Sequence, residues 1–194
     1  MKRILIILTL LSCLSCKTKK IETTEVKIET GLGNIIIELY QDKAPITCAN
    51  FIRYIENNKF EGANFYRVVR MDNQPNNEIK IEVIQGGLGF DVEESPYPPI
   101  KHEPTQETGL KHTDGTISMA RAEPGSASSE FFICIGDQPE LDFGGKRNPD
   151  GQGFAAFGKV IEGMEIVKQI QNMPDENQML INAIEIKKIE IIKP

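Results

Sequence analysis

Apolar and polar residues alternate along Val26-Lys27-Ile28-Glu29-Thr30 and again through Ile35, Ile37 and Leu39, with Gly31-Leu32-Gly33-Asn34 between the two runs. Alternation on either side of a glycine turn predicts a β-hairpin. At Asp42-Lys43-Ala44-Pro45 the period changes. Cys48, Phe51, Ile52 and Ile55 recur at helical spacing, so an amphipathic helix runs to about Asn57, with Asp42 as candidate N-cap and a proline near its start. Strands are expected over residues 65–69 and 81–84, flanking a polar loop that contains Pro75. Residues 86–113 are dense in glycine and proline and read as a long surface connection, which carries both histidines, His102 and His112. Short apolar runs at 116–119, 131–135 and 155–160 predict further strands, and Met164, Val167 and Ile170 mark one face of a second helix over 163–170. The last strand carries Ile184, Ile186, Ile189 and Ile191, whose parity shifts at Lys187-Lys188; a β-bulge there keeps one face inward. Many short strands and two separated helices predict an antiparallel barrel with helical caps.

The length of 194 residues allows one domain with appendages, and 40% hydrophobic against 26% charged residues excludes a disordered chain. A net charge of −6 opposes general binding to phosphate backbones, so no nucleic-acid partner is expected. Two histidines and four cysteines without ligand spacing give no metal site. Met1-Lys2-Arg3 is followed by an apolar run, Ile4 to Leu11, too short to span a membrane and long enough for a signal-peptide core. Ser12-Cys13-Leu14-Ser15-Cys16 then looks like a bacterial lipobox. Lipidation at Cys16, which the polar Lys17-Thr18-Lys19-Lys20 follows, and at Cys13, which has Leu10 three residues before it, are both open. The expected organisation is a lipoprotein signal peptide over 1–15, a lipidated N-terminus and charged tether over 16–25, and a folded domain over 26–194. The protein would then be anchored by lipid alone in a bacterial cell envelope, on either leaflet. Cys48 and Cys134 read as buried free thiols.

Five words stand in order along the chain: Phe65-Tyr66-Arg67-Val68-Val69, Gln85-Gly86-Gly87, Gly115-Thr116-Ile117-Ser118-Met119-Ala120-Arg121, Ser126-Ala127-Ser128-Ser129-Glu130-Phe131-Phe132-Ile133 and Phe157-Gly158-Lys159-Val160. Together they closely resemble the cyclophilin family of peptidyl-prolyl cis/trans isomerases over residues 26 to 192, with Ala120-Arg121 and the Ser-Ala-x-Ser run similar to its bacterial branch. The resemblance implies a mainly β fold, a closed eight-stranded antiparallel barrel capped by two α-helices. It also implies rotation about X-Pro peptide bonds in unfolded or extended polypeptides, without a cofactor, by a monomer. Arg67 matches the family's catalytic arginine and Gln85 the glutamine that orients it. Phe132 and Leu141 match the floor and wall of the proline pocket, Phe65 the aromatic before the catalytic turn, and Phe154 a histidine or tyrosine position. Ala120 and Arg121 match a substrate site used largely through its backbone.

This sequence departs from the family pattern at three places. Glu82-Val83 stands where phenylalanine and methionine are usual, putting Val83 at a pocket position. Glu130 replaces a glutamine and brings a carboxylate toward the cleft. The interval from Arg67 to Gln85 is longer than the family's, the excess being residues 71–79. Glu82, Val83 and the longer loop favour an alternative, a catalytically weak proline-peptide binding module or anchored chaperone, whereas Arg67, Gln85 and Phe132 favour the enzyme.

Overall fold

The computed structural model describes residues 23–89 and 95–194. The signal sequence and both candidate lipidation cysteines lie outside them. Among these residues nine strands and three α-helices follow in the order β1 (Thr24–Thr30), β2 (Asn34–Leu39), α1 (Pro45–Glu56), β3 (Asn64–Val69), β4 (Val83–Gly87), α2 (Thr105–Thr108), β5 (Thr116–Met119), β6 (Phe131–Cys134), β7 (Ala155–Glu162), α3 (Met164–Gln171), β8 (Asp175–Glu176) and β9 (Met179–Lys193), with a 3-10 turn over Pro139–Leu141 between β6 and β7. Strand β1 takes in Thr24 and Glu25, which alternation had left in the tether. Eight strands form an antiparallel ring, β1-β2-β7-β5-β6-β4-β3-β9, closed by pairing of β9 with β1; β8 is a short hairpin strand on β9. Closure removes every long free edge. The bulge expected in the last strand is present. Glu29 pairs with Lys188 and Thr30 with Ile186, so Lys187 is the extra residue, and Ile186 and Ile189 are both buried.

Strand alternation sends Val26, Ile28, Ile35, Ile37, Leu39, Phe131 and Phe157 into one core, onto which α1 lays Phe51 and α3 lays Val167 and Ile170. Helix α1 corrects one expectation: Asp42 does not cap it. Ala44 occupies the cap position without a side-chain bond. The missing acceptor comes from Glu103, buried in the long connection, whose carboxylate takes the Ile46 N–H at 3.2 Å and the Thr47 N–H and hydroxyl, each at 2.7 Å. A carboxylate at a helix N-terminus meets both its free donors and its positive dipole end. The third helix, α2, is a single turn within that connection.

Strand β4 is offset from its expected span because Ile81 and Glu82 precede it and Gln85-Gly86-Gly87 belong to it. The glycines are poor strand formers that tertiary contact requires. A Cβ on Gly86 would lie 2.8 Å from the Asn64 carbonyl and the Phe65 ring, and Gly87, at φ +141°, would place one 2.6 Å from the Glu130 carboxylate.

Candidate active site

The site is built by one irregularity in β3. Phe65 pairs with Gly86 and Arg67 with Gln85, neighbouring residues on β4, so Tyr66 is an extra residue in the ladder. In a regular strand Phe65 and Arg67 would share a face. The bulge at Tyr66 instead leaves Phe65 inside the barrel and brings Arg67 to the cleft on the outer face. The expectation for Phe65 is thereby corrected: it is wholly buried against Phe131 in the barrel core and does not line the cleft.

The cleft has a volume of about 500 Å³ and is lined by Arg67, Gln85, Ala120, Arg121, Glu130, Phe132 and Phe154, with Arg147 on its rim. Phe132 lies on the opposite face of β6 from Phe131 and heads a second apolar cluster with Val69, Ile81, Val83, Cys134 and Leu141, against which Ala120 and Phe154 pack. Phe132 and Phe154 meet edge to face at 5.2 Å. Val83 and Leu141 are buried behind these rings rather than exposed in the cleft. Ile81 joins Val83 there, so apolar volume is supplied although the sequence departs at residues 82–83.

Hydrogen bonds fix the polar side. Arg67 Nη1 donates to Gln85 Oε1 at 2.9 Å, Gln85 Nε2 donates to the Tyr66 hydroxyl at 2.9 Å, and that hydroxyl donates to Glu130. Glu130 also accepts from Ser129 Oγ at 3.0 Å and the Gly89 N–H at 3.1 Å, so three neutral donors orient the carboxylate at the edge of the cleft it lines. Burial and then the Glu130 carboxylate hold the Tyr66 phenol far above its ordinary range, which keeps it a donor. Burial lowers the Arg67 pKa, with Tyr66 opposing. Sequence reasoning missed a second acceptor on Arg67. Gln178, in the turn between β8 and β9, accepts from Arg67 Nε at 3.2 Å and from Nη2 at 2.5 Å.

Arg121 differs from its expected backbone role. Its guanidinium grips both Asp150 oxygens, at 2.8 and 3.0 Å, and the Gly153 carbonyl, and it lies 5.2 Å over the Phe154 ring. It therefore braces the loop that presents Phe154. His112 is likewise not a surface residue. Its Nδ1 is 2.8 Å from Asp142 Oδ1, its Nε2 is 3.0 Å from Ser118 Oγ, and its ring stacks on Phe132. The order Ser-His-Asp is that of a hydrolase triad, but Ser118 is 0% and His112 1% exposed, so the set supports Phe132 from behind and reaches no substrate.

Two carboxylates, Asp142 beside His112 and Asp175 in the short strand just before Gln178, make a pH prediction. Burial pushes Asp142 up, but bonds from His112 and Lys111 outweigh it; burial also pushes Asp175 up, and Arg70, Asn73 and the Gln178 N–H outweigh it, so both lie below the usual range. Groups depressed by folding stabilise the fold above their unfolded pKa and lose that contribution as pH falls through the folded value. Melting temperature is therefore expected to be level in the contribution of these groups above about pH 5 and to fall below about pH 4. Asp175→Asn should flatten part of that acid limb in thermal melts. An acid limb unchanged by Asp175→Asn would contradict the assignment.

The barrel thus sets an apolar seat of aromatic side chains beside an arginine held by three hydrogen bonds. The family model for cyclophilin type peptidyl-prolyl cis-trans isomerases matches residues 25–191. A peptidyl-prolyl cis-trans isomerase of Acinetobacter baylyi is 40% identical over 173 residues, covering 87% of this chain and 83% of the relative. Peptidyl-prolyl cis-trans isomerase B of Escherichia coli is 36% identical over 152 residues, covering 76% and 84%. Among solved structures, a Cryptosporidium parvum cyclophilin type isomerase crystallised in the presence of the dipeptide Ala-Pro has a TM-score of 0.69 at 27% identity, covering 86% of this chain and 98% of that one. The chain belongs to the cyclophilin family, and it is a peptidyl-prolyl cis-trans isomerase.

Proposed function

We propose that this isomerase works through Arg67 on proline-containing extended polypeptides while held by lipid in a bacterial cell envelope. The observation that carries the chemistry is the arginine's hydrogen bonding. Three of the five N–H donors of a guanidinium are taken, one by Gln85 and two by Gln178, which leaves two for a substrate in the adjoining cleft. An X-Pro peptide bond resists rotation by roughly 20 kcal/mol because the nitrogen lone pair is delocalised into the carbonyl. In the twisted state the lone pair returns to nitrogen, and a guanidinium fork can donate to that nitrogen while also meeting the carbonyl oxygen. The proline ring is seated by Phe132 and Phe154, with Leu141 and Val83 behind them. The bond turns without a covalent intermediate or a cofactor, because nothing but rotation is required. Ala120 at the end of β5 offers backbone to the flanking residues of the peptide.

Anchoring is supported by the short apolar leader and the adjacent Cys13 and Cys16. Two or more acyl chains hold a protein to a bilayer far better than one. The full chain expressed in a bacterial host is expected in the membrane fraction, acylated on Cys16 or Cys13, and to accelerate cis/trans exchange of an Ala-Pro peptide in that fraction. An unmodified N-terminal peptide recovered by mass spectrometry from the soluble fraction would remove the anchor. A folded protein giving only the background rate would remove the assignment of Arg67.

A further inference from the structure

The two residues between β8 and β9 both have positive φ, +51° at Asn177 and +72° at Gln178, with Glu176 and Met179 paired across them. This is the pattern of a type I′ hairpin turn, whose second central position favours glycine because a side chain there crowds the backbone. Glutamine is therefore a strained choice. Its backbone is held in place by its own N–H, which donates to Asp175 Oδ2 at 2.9 Å. Its carboxamide oxygen accepts from two nitrogens of Arg67, and its Nε2 donates to the Asn73 carbonyl at 3.2 Å.

Asn73 lies in the loop of residues 71–79, the segment that lengthens the Arg67 to Gln85 interval. That loop is ordered around the buried Gln74, whose Nε2 donates to the Arg70 and Ile81 carbonyls at 2.7 and 2.8 Å. Asn73 Nδ2 in turn donates to Asp175 Oδ2 at 3.1 Å, and Arg70 pairs with the other Asp175 oxygen. The loop, the hairpin and Arg67 thus meet at one side chain. Gln85 holds only Nη1, which leaves the guanidinium free to swing about that contact; an acceptor on Nε and Nη2 fixes its plane.

We infer that Gln178 is a positioning residue for Arg67, kept in a strained turn because its carboxamide oxygen fixes the guanidinium plane from the edge opposite Gln85, with the loop of residues 71–79 as its support. The inference rests on Arg67 being the reacting donor. A glutamine suits this task better than a glutamate, since it orients the cation without neutralising it.

Gln178→Gly removes the side chain and the backbone strain together, and Gln178→Asn keeps a carboxamide at a residue type that tolerates positive φ while shortening its reach. Both variants should melt at or above the wild-type temperature, because a glycine or asparagine relaxes the turn. Both should lose roughly tenfold or more in kcat, as misplaced catalytic groups do, with KM little changed because the proline seat is untouched. The Arg67 Nε–H resonance, assigned by its disappearance in Arg67→Ala, should be protected from solvent exchange in the wild type and exchange rapidly in both Gln178 variants. Adding Gln178→Gly to Arg67→Ala should cost nothing further. Wild-type kcat in both Gln178 variants, alongside a large loss in Arg67→Ala, would overturn the positioning role while leaving Arg67 in place. An Arg67→Ala protein as active as wild type would overturn both.

Discussion

Arg67→Ala is expected to lower kcat/KM for an X-Pro peptide by some thirty- to a thousandfold, equivalent to ~2–4 kcal/mol of transition-state stabilisation lost with one preorganised donor group. The size follows from preorganisation. Three hydrogen bonds already hold the guanidinium before a peptide arrives, so little is lost at the moment of reaction in orienting it. Arg67→Lys should recover little, because an ammonium is a point charge that cannot bridge nitrogen and oxygen as a planar fork does. Peptide affinity should fall less than turnover, since Phe132 and Phe154 still seat the proline. Protease-coupled or NMR exchange rates on the two variants check this, and equal losses of affinity and turnover would count against a role confined to the twisted state.

Phe131→Ala should destabilise the fold by ~3–5 kcal/mol, a large share of the roughly 5–15 kcal/mol that holds a domain of ordinary stability. Its ring sits edge-on to Phe51, Phe60 and Phe65 at 5.5, 6.1 and 5.9 Å, so truncation opens a cavity where helix α1 meets the barrel. The adjacent Phe132 lies across the strand in the smaller outer cluster. Phe132→Ala should therefore raise KM more than it lowers stability. Urea unfolding of the two variants with an unchanged m-value separates the cases. Similar stability losses with similar KM would show that the two faces of β6 are not divided between core and cleft in this way.

Where one face of a strand is buried and the other more open, alternation alone located the element, as in β1 and β2; short apolar runs marked β5 and β7, which are buried on both faces along most of their length, and the parity break at Lys187 even gave the bulge in β9. Phe65-Tyr66-Arg67-Val68-Val69 offered no such contrast. Large side chains fill both faces there, so the bulge that turns Arg67 outward and Phe65 inward left no trace in the pattern. The family resemblance named Arg67, Gln85, Phe132 and Phe154 from four separate stretches, and all four line one cleft. The resemblance was silent on partners brought from far along the chain: Glu103 on the first turn of α1, His112 behind Phe132, and Gln178 on Arg67. Each is a polar residue in a loop whose role depends on a contact that no local spacing encodes. Asp42, close in sequence to the helix start, was the natural candidate for a cap that tertiary structure supplied otherwise.

Pairing of β1 with β9 means that the first strand waits for the last. As the chain emerges it exposes the unpaired edge of β1, and β3 likewise lacks its outer neighbour, until residues 179–193 follow. Contacts of such long sequence separation form late and slowly, and open edges invite pairing with other chains in the interval. A catalyst of one slow step in the folding of other proteins thus has a vectorial constraint on its own: its ring can lock only once residues 179–193 have emerged to join β1 to β3.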